Sequence, residues 1–325
     1  VQYVQVESKL SDPMPTGDQG VPQGSLLGPL LFLIFYNDFP ESKNPIEEEN
    51  NVELQNNNAG PNNQNELPSN SKSVLYADDD TDHKQDKDPD ILLQKIQHEA
   101  NCSVSWVSDN KLVCSGEKTK LLIVTTQAMR LSRLTDRRFQ IQVCGKSVTE
   151  SECEKILGII ANNKLSWHHQ LYGDYSNPEK PITGLINQLS KRVGILSKLV
   201  SIIPENRFKL LVNGLFMSKL LYCLPLFGNI WGPQTIHKAD TRYNSFTKSH
   251  LKSLQVLQNK VLRLLTNCGY DTPVIQLLDK TDMLSVNQLI AFTTIMTVFK
   301  IKMSNEPKYI NSRLDVNARG RISNI

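Results

Sequence analysis

The hydrophobic pattern of the chain changes its period near Trp167. Downstream of this residue, apolar side chains recur every three or four positions, as Leu185, Leu189 and Leu196 do, and this spacing is typical of amphipathic helices. Pro204 suits the start of a helix, because proline is tolerated in the first turn. We predict downstream helices at residues 185–199, 204–220, 246–266 and 286–301.

The upstream half contains short β-prone segments and two helical ones, so the chain as a whole predicts an α+β fold. Helices are predicted at residues 26–39 and from Pro89 to Val107. Ser25 is a suitable cap for the first, and Gly28-Pro29 would lie in its first turn. Strands are predicted at residues 2–6, 73–76, 121–124, 139–143 and 155–160, with Cys144-Gly145 as a hairpin signal.

Residues 41–72 differ from both halves. The segment is rich in Asn and Glu and almost free of large apolar side chains. It cannot bury enough surface to offset the entropy that is lost on ordering. We predict a disordered or mobile insertion between two structured elements of one domain.

The composition fits a soluble globular protein, since 39% of the 325 residues are hydrophobic and 21% are charged. The longest apolar run, Leu30 to Tyr36, is shorter than the roughly 20 residues of a membrane span, and we expect no membrane association. The six cysteines form no CxxC pair and no Cys/His set with zinc spacing. They are expected to be reduced core residues of an intracellular protein.

The formal net charge of +3 is weak evidence for a polyanionic partner, but the charge is unevenly distributed. Acidic residues concentrate before Asp90, and basic residues are frequent after it. A basic downstream half would follow a phosphate backbone. An ordinary solvated face explains the same charge equally well.

Two adjacent carboxylates, Asp78 and Asp79, follow the strand predicted at residues 73–76. Neighbouring carboxylates at a hairpin tip repel one another unless a cation is present, and hard oxygen ligands at such a turn suit Mg²⁺. Two such ions could activate a 3′-hydroxyl and stabilise a leaving pyrophosphate. Taken alone, the sequence YADD at positions 76–79 is weak evidence, because aspartate runs are common in turns.

A second motif lies upstream of this pair, where positions 20–32 read GVPQGSLLGPLLF. Gly24 lets backbone approach a ligand closely, and Gln23 offers donors and an acceptor. Together with YADD, the motif closely resembles the nucleotide pocket of reverse transcriptases from non-LTR retroelements of the LINE and jockey type. The enzymes of group II introns are also similar, but residues 28–32 look more like the retroelement type.

The resemblance assigns roles to individual residues. Asp78 and Asp79 would be the catalytic metal ligands, with Mg²⁺ or Mn²⁺ as the cofactor. The implied nucleotide-binding residues are Pro22, Gln23, Gly24, Ser25 and Tyr76.

The resemblance continues downstream of the carboxylates. Residues 106–120 look like the next palm motif, in which Lys118 or Lys120 would protonate or stabilise the departing pyrophosphate. A solvated basic strand edge is the alternative reading of those lysines. The sequence KILG at positions 155–158 resembles the primer-grip strand, so Leu157 and Gly158 would position a primer.

The architecture that the resemblance implies is a partial polymerase palm, an antiparallel sheet with helices, followed by an all-α thumb. The implied reaction is RNA-directed DNA synthesis in the nucleus, with an RNA template, a DNA primer and deoxynucleoside triphosphates. The expected divisions are a partial palm at 1–125, a primer-grip hairpin region at 126–165, the thumb at 166–235 and a helical extension at 236–325.

Several features depart from the family pattern. The family's first catalytic aspartate lies on a strand upstream of the residue 20 loop, and neither Asp12 nor Asp18 matches it. We therefore expect the chain to be N-terminally truncated and, by itself, inactive as a polymerase. Polar residues at 80–85 replace an apolar strand, and the acidic insertion would repel phosphate near a nucleic-acid channel.

Two alternatives remain open. A non-enzymatic retroelement remnant would share the fold and would at most bind nucleic acid through its basic half. A helical scaffold with a chance aspartate pair would explain the helices but not residues 20–32.

Overall fold

The computed structural model describes residues 5–12, 24–43, 72–126, 129–130, 134, 137–179, 181–228 and 248–314. Contacts divide the chain into two units. The upstream unit consists of Val1–Leu121 with Arg138–Glu150, and the helical unit consists of Leu122–Arg137 with Ser151–Ile325. The four divisions expected from the sequence stay a prediction. The assignment to a polymerase palm and thumb also stays a prediction, because small two-stranded hairpins are not specific to that architecture.

Helices and antiparallel hairpins alternate along the upstream unit. Its described helices are α1 (Gly28–Phe35), α2 (Pro89–Asp109) and one turn of 3-10 helix at Glu41–Lys43. Its described strands pair as β1 (Gln5–Val6) with β2 (Lys9–Leu10), β3 (Lys72–Tyr76) with β4 (Asp79–His83), and β5 (Gln140–Val143) with β6 (Lys146–Thr149).

Helix α1 begins at Gly28, two residues after the predicted start. The Ser25 hydroxyl oxygen accepts a hydrogen bond from the Gly28 amide at 3.0 Å, and Pro29 lies in the first turn. A helix start leaves backbone amides without partners inside the helix. Here the serine satisfies one of them, and the proline has no amide hydrogen to satisfy.

An aromatic cluster of Phe35, Tyr36, Phe39 and Trp106 joins α1 to α2. The Trp106 ring lies 5.8, 5.0 and 4.9 Å from the other three ring centroids, each in an edge-on arrangement. Aromatic pairs prefer this geometry, which adds to the energy of burial. The aromatic cluster also explains why α1 ends at Phe35, whereas the predicted helix ended at Phe39. The chain turns over residues 36–40 and brings Phe39 onto the indole ring of Trp106.

Gln97 on α2 fixes the β5–β6 hairpin to that helix. Its Nε2 donates to the Gln142 carbonyl at 2.8 Å, and its Oε1 accepts from the Gln142 amide at 2.7 Å. The side-chain amide therefore satisfies both backbone groups of a strand residue, as a neighbouring strand would. The predicted hairpin is confirmed, and its inward residues Ile141 and Val143 are buried.

The strand predicted at residues 121–124 is wrong. Leu121 forms an isolated parallel bridge with Glu150, and residues 122–126 have no regular structure. Leu121 and Ile123 are nevertheless buried, whereas Val124 is exposed. Burial thus alternates as it would in a strand, although all four residues are apolar and no continuous ladder of backbone hydrogen bonds accompanies it.

The helical unit begins with hairpins and continues with helices. Its described strands pair as β7 (Cys153–Ile156) with β8 (Ile159–Asn162) and β9 (Gly173–Asp174) with β10 (Ile182–Thr183). Its described helices are α3 (His168–Tyr172), α4 (Leu185–Leu199), α5 (Glu205–Val212), α6 (Ser218–Leu221), α7 (Leu224–Phe227), α8 (Lys248–Thr266), α9 (Val274–Thr281), α10 (Val286–Ser304) and α11 (Lys308–Arg313).

The downstream helices predicted from periodicity are confirmed with small changes of bounds. The second one is divided, because a π-helical turn at Asn213–Met217 lies between α5 and α6. Residues 246–247 of the third lie outside the described chain. The short helix α9, at Val274–Thr281, was not predicted.

The core of the helical unit is built from the apolar faces of α4, the segment Glu205–Leu226, α8 and α10. That segment is long and apolar enough to cross a membrane, and the bent pair α9–α10 passes the same test. Val212, Phe216 and Leu220 of that segment are buried in the unit. The expected lack of membrane association stays a prediction. The fully buried side chains include Leu189, Leu196, Val212, Phe216, Leu220, Leu224 and Leu254.

All six cysteines are free thiols, in agreement with the sequence. The expectation that they are core residues is wrong for most of them. Cys153 is buried, four are partly exposed, and Cys144 is exposed in the β5–β6 turn. A turn position leaves a side chain without packing neighbours, whatever its hydrophobicity.

We expect Leu254→Ala to lower the free energy of unfolding by about 2–5 kcal/mol, because it leaves a cavity in the helical core. Circular dichroism during urea denaturation measures the change. Leu210→Ala is the matched control, since Leu210 is 66% exposed and its truncation should change the stability by less than about 0.5 kcal/mol. Equal effects of the two substitutions would contradict the packing described here.

Candidate active site

The candidate site of the upstream unit is the tip of the β3–β4 hairpin. Tyr76 pairs with Asp79, so Ala77 and Asp78 form a two-residue turn. Ala77 has a φ of 54°, which costs a residue with a Cβ on the order of 1 kcal/mol. The side chains of Tyr76, Asp78 and Asp79 are exposed. The predicted strand and turn are therefore confirmed, and both carboxylates face solvent at the tip.

A buried lysine lies behind this tip. The Lys43 side chain is 1% exposed, and its ammonium forms ion pairs with Asp80 and, at 2.6 Å, with Asp82. It also donates to the Ser73 hydroxyl at 3.3 Å, while that hydroxyl donates to Asp82 at 2.5 Å. The Phe39 ring centroid lies 4.5 Å from the ammonium. One cation thus pairs with two β4 carboxylates, balances one of their two charges and connects both strands of the hairpin.

Lys43 corrects the prediction of a disordered insertion at its upstream edge. Glu41–Lys43 form a helical turn, and Lys43 is buried. The physical reason is electrostatic, because two β4 carboxylates provide partners that composition alone does not reveal. Residues 44–71 lie outside the described chain, and the prediction for them is not tested.

Two carboxyl groups behind the tip are partly removed from water. Burial raises the pKa of Asp80 above its usual 3.8; the Lys43 hydrogen bond opposes the rise, and the Asp82 charge adds to it. Burial also raises the pKa of Glu99 above its usual 4.5, against the effect of Lys84 at 2.9 Å. Within the described residues, Asp80 Oδ1 and Glu99 Oε2 have no hydrogen-bond partner.

The Tyr36 hydroxyl, just after the end of α1, is affected by the charges of the hairpin carboxylates. Burial, followed by the charges of Asp80 and Asp78, raises the pKa of its hydroxyl to about 12. The hydroxyl therefore stays protonated at neutral pH. The YADD hairpin and the segment that follows the GVPQG motif thus belong to one electrostatic environment.

The remaining residues predicted for the nucleotide pocket are only partly described. Gly24 is exposed with a φ of 88°, and a Cβ built there would meet no atom within 4 Å. The glycine is therefore required by its backbone angle and not by crowding. Ser25 caps α1, so its hydroxyl has a structural role. Pro22 and Gln23 lie outside the described residues.

Lys118 is exposed, and its side chain forms no hydrogen bond or ion pair with any described residue. Lys120 is exposed too, and its ammonium lies 3.5 Å from the Glu117 carbonyl. The structure does not bring either lysine into contact with Asp78 or Asp79. Their role beside a pyrophosphate stays a prediction.

The described residues do not form a complete magnesium site. A divalent cation of this kind needs a set of converging oxygen ligands. Asp78 and Asp79 are two exposed carboxylates, while Asp80 and Asp82 are already paired with Lys43. Within the described ranges there is no group of three or more His, Cys, Asp or Glu that could hold a metal ion.

The predicted primer-grip strand at residues 155–160, in the helical unit, is wrong as a single strand. Leu157 and Gly158 form the turn between β7 and β8, with φ values of 47° and 85°. Positive φ at both positions is what a two-residue hairpin turn requires. Gly158 adopts a positive φ readily. The apolar pattern of the segment does not reveal this turn. The predicted primer-positioning role is not tested.

Tyr222 holds this turn in place. Its hydroxyl donates to the Leu157 carbonyl at 2.6 Å. A Cβ on Gly158 would lie 3.5 Å from the Tyr222 ring, so the glycine and the ring are already in contact range. Tyr222 falls within the thumb predicted at 166–235, but the sequence did not predict this contact, which crosses 65 positions of the chain.

A comparison with known proteins relates the chain to a reverse transcriptase. It is 24% identical over 253 residues to the RNA-directed DNA polymerase from mobile element jockey of Drosophila melanogaster. The match covers 77% of this chain and 22% of that protein, so the chain spans about a fifth of its relative's length. No family model and no solved structure matches. The similarity supports a distant relationship to reverse transcriptases and retrotransposons at family level.

We expect Lys43→Met to weaken the β3–β4 hairpin by about 3 kcal/mol, because two carboxylates lose their cation. Hydrogen exchange of the hairpin amides, read by mass spectrometry, measures this local opening. Adding Asp80→Asn and Asp82→Asn to the variant removes the unpaired charges and should restore much of the protection. Unchanged exchange in Lys43→Met would contradict the role of the ion pairs.

A second prediction concerns pH. Because the folded-state pKa of Glu99 is raised, its contribution to stability is fully present below pH 4.5 and is lost as the pH rises through the folded value. Glu99→Gln cannot ionise and should therefore reduce the fall in stability above pH 4.5. Denaturation midpoints at pH 4.5 and pH 7 test this. Glu306→Gln, at an exposed position, serves as control. The prediction fails if both variants follow the wild-type pH dependence.

Proposed function

We propose that the chain carries part of the nucleotidyl-transfer region of an RNA-directed DNA polymerase from a non-LTR retroelement. The observation that carries the proposal is the exposed Asp78-Asp79 pair at a hairpin tip, within a chain that is similar to a reverse transcriptase over 77% of its length. The RNA template, the DNA primer, the deoxynucleoside triphosphates and a nuclear location belong to the same proposal.

In this proposal the hairpin presents the carboxylates of Asp78 and Asp79, while those of Asp80 and Asp82 are paired with Lys43. A site that binds its ligands through carboxylates needs some of them to be unpaired. Pairing Asp80 and Asp82 with a lysine while Asp78 and Asp79 face solvent meets this need. The cofactor, Mg²⁺ or Mn²⁺, follows from the resemblance and not from the described residues, which do not complete its site. We expect the isolated chain to lack polymerase activity.

A second function is favoured by the same incomplete ligand set. A non-enzymatic protein that binds nucleic acid would keep the fold and the basic residues of the helical unit without needing a third carboxylate. It would bind template–primer and leave the primer unextended under all conditions, in this chain and in any longer product of the same reading frame.

Binding and extension test the proposal together. A fluorescent RNA template–DNA primer should bind the chain with a dissociation constant on the order of 10⁻⁶ to 10⁻⁴ M at physiological salt, with an affinity that falls as salt rises. We expect no primer extension in Mg²⁺ or Mn²⁺. Extension that Asp79→Asn abolishes, and that the exposed control Asp271→Asn retains, would contradict the expected inactivity and establish the enzyme. Absence of binding would overturn the proposed function.

A further inference from the structure

A thiol and an ammonium group meet at the end of α9. The Lys280 Nζ atom donates a hydrogen bond to the Cys268 sulfur at 3.4 Å. Among the described residues, Lys280 forms no ion pair with a carboxylate, although Asp279 is its neighbour in the sequence and Asp282 follows two positions later. The lysine is therefore directed to the sulfur and to neither aspartate.

The backbone on the Cys268 side of this pair is held in place. Helix α8 ends at Thr266, and Asn267 has a φ of 51°, a left-handed conformation that turns the chain after a helix. The loop that follows is connected back to α8. The Arg263 guanidinium donates to the Tyr270 carbonyl at 3.0 Å and lies 5.0 Å from the centroid of the Tyr270 ring. Cys268 lies between these two restraints.

The Lys280 side of the pair is held as well. Lys280 lies in the last turn of α9, and Leu277 of the same helix is fully buried. The Lys209 ammonium of α5 donates to the carbonyl of Thr281, the last residue of α9, at 3.0 Å. The nitrogen–sulfur contact therefore joins two backbone segments that are each fixed by other interactions.

Cys268 differs in acidity from two thiols that are further removed from water. Hydrogen bonding at Thr266 and then from Lys280, together with the lysine charge, lowers the pKa of Cys268 below its usual 9.0, against the effect of burial. Burial raises the pKa of Cys114 and that of Cys153 to about 11. The thiolate is the form that oxidants attack, so Cys268, which is partly exposed, should react before those two.

We propose that Cys268 and Lys280 form a modification site, at which hydrogen peroxide joins the two side chains through a covalent sulfur–nitrogen bond. A cysteine sulfenic acid can condense with a nearby nitrogen to give a sulfenamide. The nitrogen here is that of the Lys280 side chain, which already lies 3.4 Å from the sulfur. The bond would fasten the loop after α8 to the last turn of α9.

The reaction consumes one molecule of hydrogen peroxide. Peroxide transfers one oxygen to the thiolate, which becomes a sulfenic acid, and hydroxide is released. The hydroxide takes a proton from the Lys280 ammonium and becomes water. The free amine then forms the sulfur–nitrogen bond while the sulfur–oxygen bond breaks, and the leaving hydroxyl departs with an amine proton as a second water. The sulfur loses two electrons, and the peroxide gains them.

Peptide mass spectrometry of the peroxide-treated full chain tests for the bond. Trypsin has no site between Arg263 and Lys300 once Lys280 is blocked, so both partners then fall in one fragment, residues 264–300. We expect this fragment, about 2 Da lighter than its unmodified sequence, and we expect dithiothreitol to restore cleavage after Lys280. Complete cleavage after Lys280 in the oxidised chain would overturn the proposal. A blocked fragment about 14 Da heavier, with oxygen kept between sulfur and nitrogen, would overturn the direct bond.

Lys280→Arg separates the charge of the lysine from its ability to form a bond. A guanidinium keeps the positive charge beside the sulfur but does not lose its proton, so it supplies no free amine. Dimedone, which traps sulfenic acids, is added during oxidation. We expect several-fold more dimedone on Cys268 in this variant than in the wild type, because no amine competes for the sulfenic acid. Equal labelling of the two chains would contradict the proposed bond.

Two controls complete the experiment. Lys252→Arg makes the same substitution at an exposed lysine of α8 and should oxidise as the wild type does; a loss of the bridged fragment in this variant would overturn the assignment to Lys280. Cys268→Ser should allow complete cleavage after Lys280, and a blocked fragment there would overturn the assignment to this thiol. Circular dichroism spectra verify that each variant is folded.

Discussion

The upstream unit depends on the ion pairs of Lys43. Its β4 strand carries Asp80 and Asp82, and a strand of this composition has no apolar face with which to bury itself. One ammonium that touches both carboxylates, the Ser73 hydroxyl and the Phe39 ring supplies the missing interaction. Because a buried ion pair is costly to break from one side, loss of this lysine alone would destabilise the hairpin. Asp78 and Asp79, which do not pair with Lys43, face water at the tip of the hairpin.

Periodicity predicted the downstream helices well, because their stabilisation comes from one repeated kind of contact. Residues such as Leu189 and Leu254 are buried at the spacing that the sequence displays. The predictions failed where the structure depends on a contact between residues far apart in the sequence, or on a backbone angle. The Leu157–Gly158 turn looked like strand because both flanks are apolar, and only the positive φ angles distinguish it. Lys43 looked like part of a polar insertion because its partners follow it by 37 and 39 positions.

The candidate site was predicted from motif resemblance, and the structure supports only its local part. It places the Asp78-Asp79 pair at an exposed tip. It leaves Lys118 exposed and without a described partner. A charged side chain at a surface acquires its geometry from the ligand it meets, so neither sequence nor an unliganded fold can determine that geometry. The distant similarity to a retroelement polymerase fits this incomplete picture.

The contact between Lys43 and Ser73 has a further consequence for how the chain can vary. The two residues lie 30 positions apart in the sequence, yet their side chains are 3.3 Å apart. The described residues on either side of positions 44–71 therefore meet at one point of the hairpin. The entropy cost of closing a flexible loop grows only with the logarithm of its length, about 0.6 kcal/mol for each doubling. Insertions or deletions between positions 43 and 73 should therefore leave the register of the hairpin that carries the aspartates unchanged.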